Sequence, residues 1–347
     1  MTGFNPPLRL CLDGGALIAN WRALAKLSGA ASTGAAVKAN GYGLGAREVV
    51  TRLSAVGCRD FFVAHWAEAE AIADLIPASQ VAVLNGIGDS DVQRAIALGA
   101  IPVLNTPHQI AMWKAANGGR CHVMLDSGIN RLGIGPEQMS VALLDGLDID
   151  IALSHLASAD EDVMQNASQR ATYLSMLQQA RCQRRSLANS AGIMLGADYH
   201  FDLTRPGLSL YGGIARPEMA DIMNQVVYPQ ARVLQVRELM AGQSIGYNAT
   251  YTTPTPSRIA TLAIGYADGY LRGFSGTGMC QFEGIALPVV GRVSMDLVTV
   301  DASNCPTLNE GDWIDVDLVL QRAAAASGLS QYELLTGLSA RASRAWK

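Results

Sequence analysis

Short apolar runs alternate with amphipathic segments over the first two thirds of the chain. Eight runs are candidate strands, namely Ala35–Lys38, Phe61–Ala64, Val81–Leu84, Pro102–Leu104, His122–Leu125, Ile151–Ser154, Ser186–Asn189 and Leu208–Tyr211. Helical spacing is found between most of them, in Trp66–Leu75, Asp89–Leu98, Thr106–Ala116, Pro136–Leu144 and Ser168–Arg181. Continuously apolar strands separated by helices indicate parallel pairing. Eight repeats within about 180 residues favour a closed (β/α)8 TIM-type barrel, and an open doubly wound sheet is the alternative.

The pattern changes after Pro217. Six β-like runs follow, separated by Gly, Pro, Asn and Asp: Val226–Val236, Arg258–Ile264, Met279–Phe282, Ile285–Val289, Val298–Val300 and Trp313–Val316. Helical spacing returns only in Arg322–Ala326 and Gln331–Leu335. We therefore predict a barrel at residues 1–220 and a mainly-β C-terminal domain at residues 221–347. Within residues 1–13, Leu8–Leu12 is expected to add a strand to the second domain.

Composition narrows the class of protein further. The chain has 347 residues, 49% of them hydrophobic and 16% charged, which is enough for a large core. A net charge of −4 gives no indication of nucleic acid or an anionic membrane as a partner. The first 13 residues lack the pattern of a secretory signal, and no apolar stretch is long enough to span a membrane. Six scattered cysteines and five histidines show no metal-ligand spacing, so we expect a cytoplasmic protein without a metal.

Lys38 ends the first predicted strand, where a glycine-rich turn leads into Ala46–Val50. Such a position lifts an amine from the core to the rim of the barrel, where desolvation lowers its pKa and allows it to condense with an aldehyde. Polar residues also follow the next six predicted strands: His65, Asn85, Asn105, Asp126 with Arg131, His155, and Asn189 with Ser190. Arg205 lies just before the eighth. Because active residues of barrels gather at the carboxyl ends of the strands, we interpret this ring as a site.

Two small-residue turns indicate a phosphate site within the same ring. Asn189–Gly192 and Arg205–Leu208 lie at the seventh and eighth predicted strands, where such barrels usually bind phosphate. Exposed backbone N–H groups and the Ser190 hydroxyl suffice to hold a phosphate dianion. A reactive lysine and a phosphate cradle at one barrel mouth fit pyridoxal phosphate. They equally fit a Schiff-base aldolase that acts on a sugar phosphate, and the residues alone leave both open.

Seven motifs give the chain a specific resemblance to a known family. In chain order they are Ala36–Gly43, Leu125–Gly133, Ser154–Asp160, Arg205–Gly212, Gly246–Tyr251, Ile264–Gly269 and Gly291–Asp296. With these motifs the chain resembles the alanine racemases, which are fold type III pyridoxal-phosphate enzymes, over almost its full length. The resemblance implies a homodimer with shared active sites that uses pyridoxal 5'-phosphate. Its expected activity is to interconvert L-alanine and D-alanine, either to supply D-alanine for peptidoglycan or to catabolise it.

The resemblance also implies roles for individual residues. Lys38 is expected to hold the cofactor covalently and to act as the base on one face of the substrate Cα, while Tyr247 of the partner subunit acts on the other. The other expected cofactor-binding residues are Tyr42, Asn189, Ser190, Gly207 and Leu208 around the phosphate, Arg205 at the pyridine nitrogen, and His155, which supports Arg205 and Tyr247 through hydrogen bonds. Arg131 and the Met295 amide are expected to face the substrate carboxylate, and Tyr266 to narrow the entrance.

This set of residues is chemically coherent. Racemisation removes a proton from one face and delivers another to the opposite face, so it needs two opposed bases. A tyrosine, with an ordinary pKa near 10, serves as a base only where cations stabilise its phenolate. Arg205 holds its own proton tightly, so it makes the cofactor a weaker electron sink than a carboxylate would. Our hypothesis is that this restraint disfavours side reactions such as transamination.

Two departures from the family pattern bear on specificity. Met124 replaces a lysine that in many members orients the carboxylate-binding arginine, so Arg131 needs another support. Ala340 stands where many members have a tyrosine that closes the inner gate. Without that tyrosine the inner gate would admit larger substrates, so the alternative function is a racemase of broader range that acts on serine or other amino acids. A non-catalytic pyridoxal-phosphate barrel is a further alternative, although a whole second domain carrying Tyr247 argues against it. Arg205 argues against a pyridoxal-phosphate decarboxylase, which would usually have a carboxylate near the ring nitrogen.

Overall fold

The computed structural model describes residues 4–347, and this part of the chain forms two compact units. One unit is Leu17–Asn224, and the other combines the described residues before Leu17 with Gln225–Lys347. Over the described range, no helix is long and apolar enough to cross a membrane. The functions predicted for the two domains, cofactor binding and supply of a tyrosine base, stay predictions.

The first unit is built on parallel strands that pair in chain order. Seven of them form one sheet: β3 (Ala35–Ala36), β4 (Phe61–Val63), β5 (Val81–Val83), β6 (Ile101–Leu104), β7 (Arg120–Met124), β8 (Asp148–Leu153) and β9 (Arg184–Ser186). Their side chains are buried almost throughout, as expected for strands covered by helices on one face and by barrel packing on the other.

Two further strands close the sheet into a ring. β10 (Leu203–Thr204) pairs in parallel with β2 (Ser32–Thr33), which continues through Gly34 into β3. On its other side β10 meets β9, since the Asp202 N–H donates to the Arg185 carbonyl at 3.1 Å and the Arg205 N–H donates to the Ala188 carbonyl at 2.9 Å. The predicted TIM-type barrel is thereby confirmed, and the open sheet is excluded.

One predicted strand of the barrel is wrong. Leu208–Tyr211 is a 3-10 helix, and the eighth strand is Leu203–Thr204. Pro206 has no N–H for a strand ladder, so the chain leaves the sheet there and turns at Gly207. The apolar residues that follow are buried in the turn of a helix, and a short apolar run alone does not distinguish the two cases. Arg205 consequently follows the eighth strand instead of preceding it.

Four helices of the first unit are shorter than the sequence pattern predicted, and a fifth, Met164–Leu177, begins and ends four residues earlier than predicted. The helices of this unit are Gly14–Leu27, Ala46–Ala55, Trp66–Glu70, Val92–Leu98, Pro107–Ala115, Val141–Leu144 and Met164–Leu177. Thr106 caps its helix, because its hydroxyl accepts the Gln109 N–H at 3.1 Å. The segments predicted to begin at Asp89 and Ser168 are helices that begin at Val92 and Met164, so neither residue is an N-cap.

The second unit is an antiparallel β structure. Its main strands are β1 (Leu8–Leu12), β11 (Val227–Leu239), β14 (Ser257–Leu262), β15 (Met279–Phe282), β16 (Ile285–Val290), β17 (Val298–Asp301), β18 (Trp313–Val316) and β19 (Ser343–Trp346). The long strand β11 pairs with β14 through its second half and with β18 through its first half, so six strands close in the order β11-β14-β17-β16-β15-β18. β1 adds to β11, and β19 adds in parallel to β1.

Short elements complete the second unit. A small hairpin pairs β12 (Ser244–Ile245) with β13 (Tyr251–Thr252), and the 3-10 helix Tyr247–Ala249 forms its loop. Another 3-10 helix, Tyr266–Asp268, follows β14. The helices Leu320–Ser327 and Gln331–Thr336 lie close to the two helical segments that the sequence predicted.

Candidate active site

Lys38 lies at the carboxyl end of the first barrel strand, as predicted. The four residues after it have a left-handed backbone, with φ of 52° at Ala39, 54° at Asn40, 62° at Gly41 and 53° at Tyr42. This conformation costs an L-residue roughly 1–2 kcal/mol, and only glycine adopts it freely. Such strain persists where surrounding contacts enforce it, and it is concentrated at functional sites.

The surroundings of the Lys38 amine weaken its hold on a proton. The side chain is half-buried, and this desolvation lowers the pKa of Lys38 from its ordinary value. The positive charge of Arg131 lowers the same pKa further, while the negative charge of Glu68 raises it. A larger fraction of such a lysine is unprotonated at neutral pH, so its amine is available as a nucleophile or as a proton acceptor.

Arg205 lies at the carboxyl end of β10, and its side chain is fixed from inside the barrel. Its Nη1 donates to the Ser186 hydroxyl, which in turn donates to the Leu203 carbonyl at 2.5 Å. Its Nη2 donates to the Ser154 carbonyl at 2.5 Å. Burial lowers the pKa of Arg205 to about 10, which leaves the group cationic at neutral pH. Its Nε donates no hydrogen bond within residues 4–347, and it is one of the three N–H donors of the guanidinium that these two contacts leave for a ligand.

The turns at the ends of β9 and β10 are where the sequence predicts a phosphate cradle. The Ser190 hydroxyl accepts the Gly207 N–H at 3.0 Å and the Ser209 N–H at 3.3 Å. Because both lone pairs of its oxygen are then used, its own O–H is left to donate. A Cβ at Gly207 would lie 2.2 Å from the Tyr42 hydroxyl, so glycine is needed for the Tyr42 ring to pack there. These donors fit a phosphate monoester.

Asn189 holds the loop after β9 through two hydrogen bonds. Its side-chain oxygen accepts the Gly192 N–H at 2.8 Å, and its carbonyl accepts the Ile193 N–H at 3.1 Å. The Tyr42 ring stacks on Tyr211 with centroids 4.6 Å apart, and the Tyr211 hydroxyl donates to the Ala36 carbonyl at 2.8 Å. Asn189 and Tyr211 therefore hold the loop and the ring that line the cradle.

Arg131 finds its support through the backbone of its loop. The Asp126 carboxylate, which is buried, accepts four consecutive backbone N–H groups, from Gly128 to Arg131, at 2.9–3.2 Å. The Arg131 side chain itself is exposed. Met124, at the position of the missing lysine, is an ordinary buried residue of β7. Asp126 therefore positions the loop, and the guanidinium extends from it.

His155 lies among the cations of the barrel mouth. Burial, followed by the charges of Arg205, Arg131 and Lys38, lowers the pKa of His155 to about 3, so the imidazole is neutral at physiological pH. The structure thus brings these four predicted residues together. Among the described residues, the predicted hydrogen bond between His155 and Arg205 is not formed, and the Nη atoms of the arginine donate to Ser186 and Ser154 instead.

The predicted residues of the second unit lie on three of its loops. Tyr247 is in the loop of the β12–β13 hairpin and is 66% exposed. Tyr266 and Met295 lie side by side, since the Tyr266 N–H donates to the Ser294 carbonyl at 3.0 Å and the Ala267 N–H donates to the Met295 carbonyl at 2.9 Å. A Cβ at Gly265 would lie 2.4 Å from the Met295 carbonyl, so this close approach requires glycine.

Arg341 joins the loop of Tyr266 and the loop of Met295 to the C-terminal segment. Its Nε lies 3.1 Å from Oδ1 of Asp268 in the Tyr266 turn, and its Nη1 donates to Asp296, next to Met295, at 2.8 Å. Ala340, which precedes it, is exposed. The carboxylates of Asp268 and Asp296 therefore hold their turns in place through Arg341.

Other members of the predicted polar ring serve structure. Asn105 is fully buried and donates to the carbonyls of Leu84 and Val103, and the carbonyl of Asn85 accepts from Gln109. His65 is an exposed residue at the start of a helix. Sequence reasoning missed Ser186, whose contact with Arg205 is made between the neighbouring strands β9 and β10. It also missed Glu68, for which the only local signal is an acid shortly after a barrel strand.

The fold and the site together define a class of protein. Its members have a (β/α)8 barrel with a lysine of lowered pKa and turns that fit a phosphate at the mouth, followed by an antiparallel β unit. Family models described as the N-terminal and the C-terminal domain of alanine racemase match residues 12–215 and 226–346. The chain belongs to the alanine racemase family.

Individual relatives agree with this assignment. An alanine racemase of Rhodospirillum rubrum is 42% identical over 350 residues, which cover 96% of this chain and 94% of that protein. A protein of Agrobacterium fabrum named as a catabolic alanine racemase is 40% identical and covers 97% of this chain and 91% of its own length. The crystal structure of alanine racemase from Bartonella henselae, with covalently bound pyridoxal phosphate, has a TM-score of 0.91 at 34% identity, covering 98% of this chain and 99% of that one. The predicted family and enzyme class are confirmed.

Proposed function

We propose that this protein interconverts L-alanine and D-alanine, with pyridoxal 5'-phosphate held covalently by Lys38. The observation that carries the proposal is a lysine of lowered pKa at the same barrel mouth as a cradle that fits phosphate. Family membership supports alanine as the substrate and favours this cofactor over the aldolase alternative. When bound, the cofactor withdraws electrons from the substrate and so makes the proton on Cα removable.

Different residues of the barrel would bind the phosphate, the aldehyde carbon and the ring nitrogen of the cofactor. The Ser190 hydroxyl, the N–H of Leu208 and the Tyr42 side chain would bind the phosphate, while Lys38 anchors the aldehyde end. The Gly207 N–H is already used by Ser190, so we assign Gly207 the role of making room for Tyr42. Arg205 would present Nε to the pyridine nitrogen, and its buried partners keep the guanidinium from turning away.

Two bases on opposite faces of the substrate are proposed to move the proton. Lys38 serves one face, and Tyr247 of the partner subunit serves the other. In the single chain the Tyr247 side chain is 66% exposed, so nothing yet excludes water from it. A homodimer in which each subunit supplies this tyrosine to its partner would cover the phenol and bring cations near it, as a phenolate base requires.

The substrate carboxylate is proposed to bind Arg131 and the N–H of Met295. Arg131 is a cation on a loop that Asp126 fixes, and Met295 lies beside Tyr266, which is proposed to narrow the entrance. A neutral His155 keeps the mouth from acquiring another positive charge, and we propose that it orients Tyr247 of the partner subunit. Because its pKa is lowered, Lys38 can be present as a neutral amine, and we propose that it accepts the Cα proton.

A broader substrate range is the second candidate function. The exposed Ala340 carries no side chain that could close the loop region of Tyr266 and Met295, to which Arg341 ties it. Rates with alanine, serine and lysine, measured under identical conditions, separate the two candidates. A preference for alanine of less than about tenfold, or about 1.4 kcal/mol in the transition state, would favour the broader racemase.

The proposed chemistry is tested by following loss of optical rotation with each enantiomer of alanine. Wild-type protein should racemise both, and Lys38→Ala and Tyr247→Phe should lose at least about 10²-fold, as expected for removing a general base. Substrate deuterated at Cα should reveal which base acts on which enantiomer, because the isotope effect in each variant depends on substrate handedness. Equal isotope effects for both hands in both variants would contradict opposed bases.

We place the reaction in the cytoplasm. All six cysteines are free thiols, four of them buried, which fits a reducing compartment. Relatives named as biosynthetic and as catabolic alanine racemases are both similar to this chain. The reaction is the same in either role, so supply of D-alanine for peptidoglycan and its catabolism are both compatible with the site.

A further inference from the structure

We propose that Glu68 is a positioning residue for Lys38: its carboxylate fixes the strained turn that follows the lysine and places a negative charge beside the amine. This inference rests on the proposed function, since it names the group that aims the lysine. Glu68 lies in the first turn of the helix Trp66–Glu70, directly after the neighbouring barrel strand β4. Its side chain is only 17% exposed.

The carboxylate of Glu68 bridges two strand ends. Oε1 accepts the N–H of Ala39, the residue after Lys38, at 2.6 Å. Oε2 accepts the N–H of Ala64, at the end of β4, at 2.7 Å. Hydrogen bonds to a charged acceptor are shorter and stronger than neutral ones. One side chain therefore locks the start of the turn to the next strand of the barrel.

The turn needs such a lock because its backbone is strained. Ala39, Asn40 and Tyr42 all have the left-handed conformation that L-residues avoid. The far end of the turn is held by Asn40, whose side-chain oxygen accepts the Ala46 N–H at 3.0 Å and whose carbonyl accepts the Gly45 N–H at 2.8 Å. Glu68 provides the matching restraint at the near end, next to the lysine. Loss of that restraint would let the peptide after Lys38 relax and would change the direction of the side chain.

The charge of Glu68 also distinguishes it from the other groups that face Lys38. Arg131 follows β7 and His155 follows β8, and the first is a cation while the second is neutral. His65 is exposed, with Nε2 3.9 Å from Oε1 of Glu68. Burial and Arg131 lower the pKa of Lys38, and Glu68 raises it. Glu68 thus limits how far the cations of the mouth depress the basicity of Lys38.

Three variants of the holoenzyme test this role. Glu68→Gln removes the charge and one acceptor, whereas Glu68→Asp keeps the charge but is too short to reach both N–H groups. Glu70→Gln is the matched control, because Glu70 lies on the same helix and pairs with Arg94 at the surface. The readouts are the pH midpoint of the visible absorbance of the lysine-bound cofactor, and kcat with each enantiomer of alanine. Melting temperatures and far-UV circular dichroism establish that each variant is folded.

We expect the midpoint of Glu68→Gln to move down by about one pH unit, because a cation at Lys38 loses its nearest anion. Its kcat should fall roughly tenfold or more, with the larger loss for the enantiomer on which Lys38 is the base. Glu68→Asp should keep a midpoint close to that of the wild type and still lose rate, and Glu70→Gln should match the wild type in both.

Two results would overturn the proposal. In one, Glu68→Gln keeps the wild-type midpoint, whether or not its rate falls, so that the residue is structural at most. In the other, both enantiomers lose rate equally in every Glu68 variant. Should Glu68→Gln fail to fold, Glu68→Asp decides, since wild-type rates in that variant would contradict the bridge. If the wild-type protein forms no coloured adduct at all, the proposed function itself fails, which is a distinct outcome.

Discussion

Cations dominate the charge around the reactive amine. Arg131 acts on both Lys38 and His155, Arg205 acts on His155, and Glu68 is the acid that raises the pKa of the lysine. A buried guanidinium is costly unless its donors are satisfied, and Ser186 and Ser154 satisfy two of those of Arg205. The positive mouth therefore favours an anionic ligand such as a phosphate monoester or a carboxylate.

Replacing Arg205 tests how the ring nitrogen is controlled. In Arg205→Glu a carboxylate can stabilise a protonated pyridine nitrogen, whereas a guanidinium only donates a hydrogen bond. We expect the share of turnovers that end in pyruvate, the transamination product of alanine, to rise by about tenfold or more relative to racemisation. Pyruvate and D-alanine are measured in the same reaction. Arg205→Lys, which keeps the positive charge, should lose rate without this rise, and unchanged partitioning in Arg205→Glu would refute the hypothesis.

At the scale of structural elements, the loops at the ends of strands position the functional groups. The loop that carries Arg131 depends on one carboxylate, that of Asp126, for four of its N–H groups. The Tyr266 and Met295 loops depend on Arg341 in a comparable way. In each case a buried or bridging charge replaces the regular hydrogen bonds that a strand or helix would supply.

Asp126→Asn tests the loop that carries Arg131. The amide offers one acceptor where the carboxylate offers two, so the loop should lose part of its N–H bonding and Arg131 its fixed origin. We expect KM for alanine to rise roughly tenfold with a smaller change in kcat, as for loss of a contact to the substrate carboxylate. Steady-state kinetics provide the measurement, with Asp145→Asn, an exposed acid of the same unit, as the control. An unchanged KM would show that Arg131 does not depend on this loop geometry.

Local patterns sufficed for elements whose apolar residues repeat along a single strand or helix. Met279–Phe282 and Trp313–Val316 occupy their predicted positions, and Lys38 follows its predicted strand. The sequence pattern did not predict the helix Gly14–Leu27, because this helix begins with two glycines, which disfavour helical structure. Ser343–Trp346 is a strand only through pairing with distant Leu8–Leu12. Long-range contacts such as that of Ser186 with Arg205 leave no local trace in a sequence.

A buried histidine makes the stability of the whole molecule sensitive to acid. His122, on β7, is 3% exposed, and its Nδ1 accepts the Ile151 N–H at 3.2 Å. Burial lowers its pKa from the ordinary 6.5 to about 3. Between these values the unfolded chain binds a proton that the folded chain does not, so this contribution is complete above pH 6.5 and is lost as the pH falls toward 3.

His122→Asn should therefore flatten the acid limb of the stability curve. Asparagine can still accept the Ile151 N–H but cannot take up a proton, so the slope of unfolding free energy against pH should decrease by up to about 1.4 kcal/mol per pH unit. Urea unfolding between pH 7 and pH 4 measures the slope. His108→Asn, at an exposed histidine, is the control and should keep the wild-type slope. Identical slopes in all three proteins would contradict a buried neutral His122.

The proposed homodimer has a direct test at the scale of the assembly. Lys38→Ala and Tyr247→Phe subunits are each inactive alone, but a mixed dimer would contain one site with both an intact lysine and an intact tyrosine. After subunit exchange, half of the dimers are mixed and each has one working site of two, so about one quarter of the wild-type activity should return. No recovery after verified exchange would mean that the two bases do not come from different subunits.

The most direct test of the account is the identity of the residue that carries the cofactor. The cofactor-loaded protein is reduced with borohydride, digested and mapped by mass spectrometry. We predict that the visible absorbance disappears and that the reduced adduct is found on Lys38. An adduct on Lys26, Lys114 or Lys347, or a protein that binds no cofactor at all, would contradict the account.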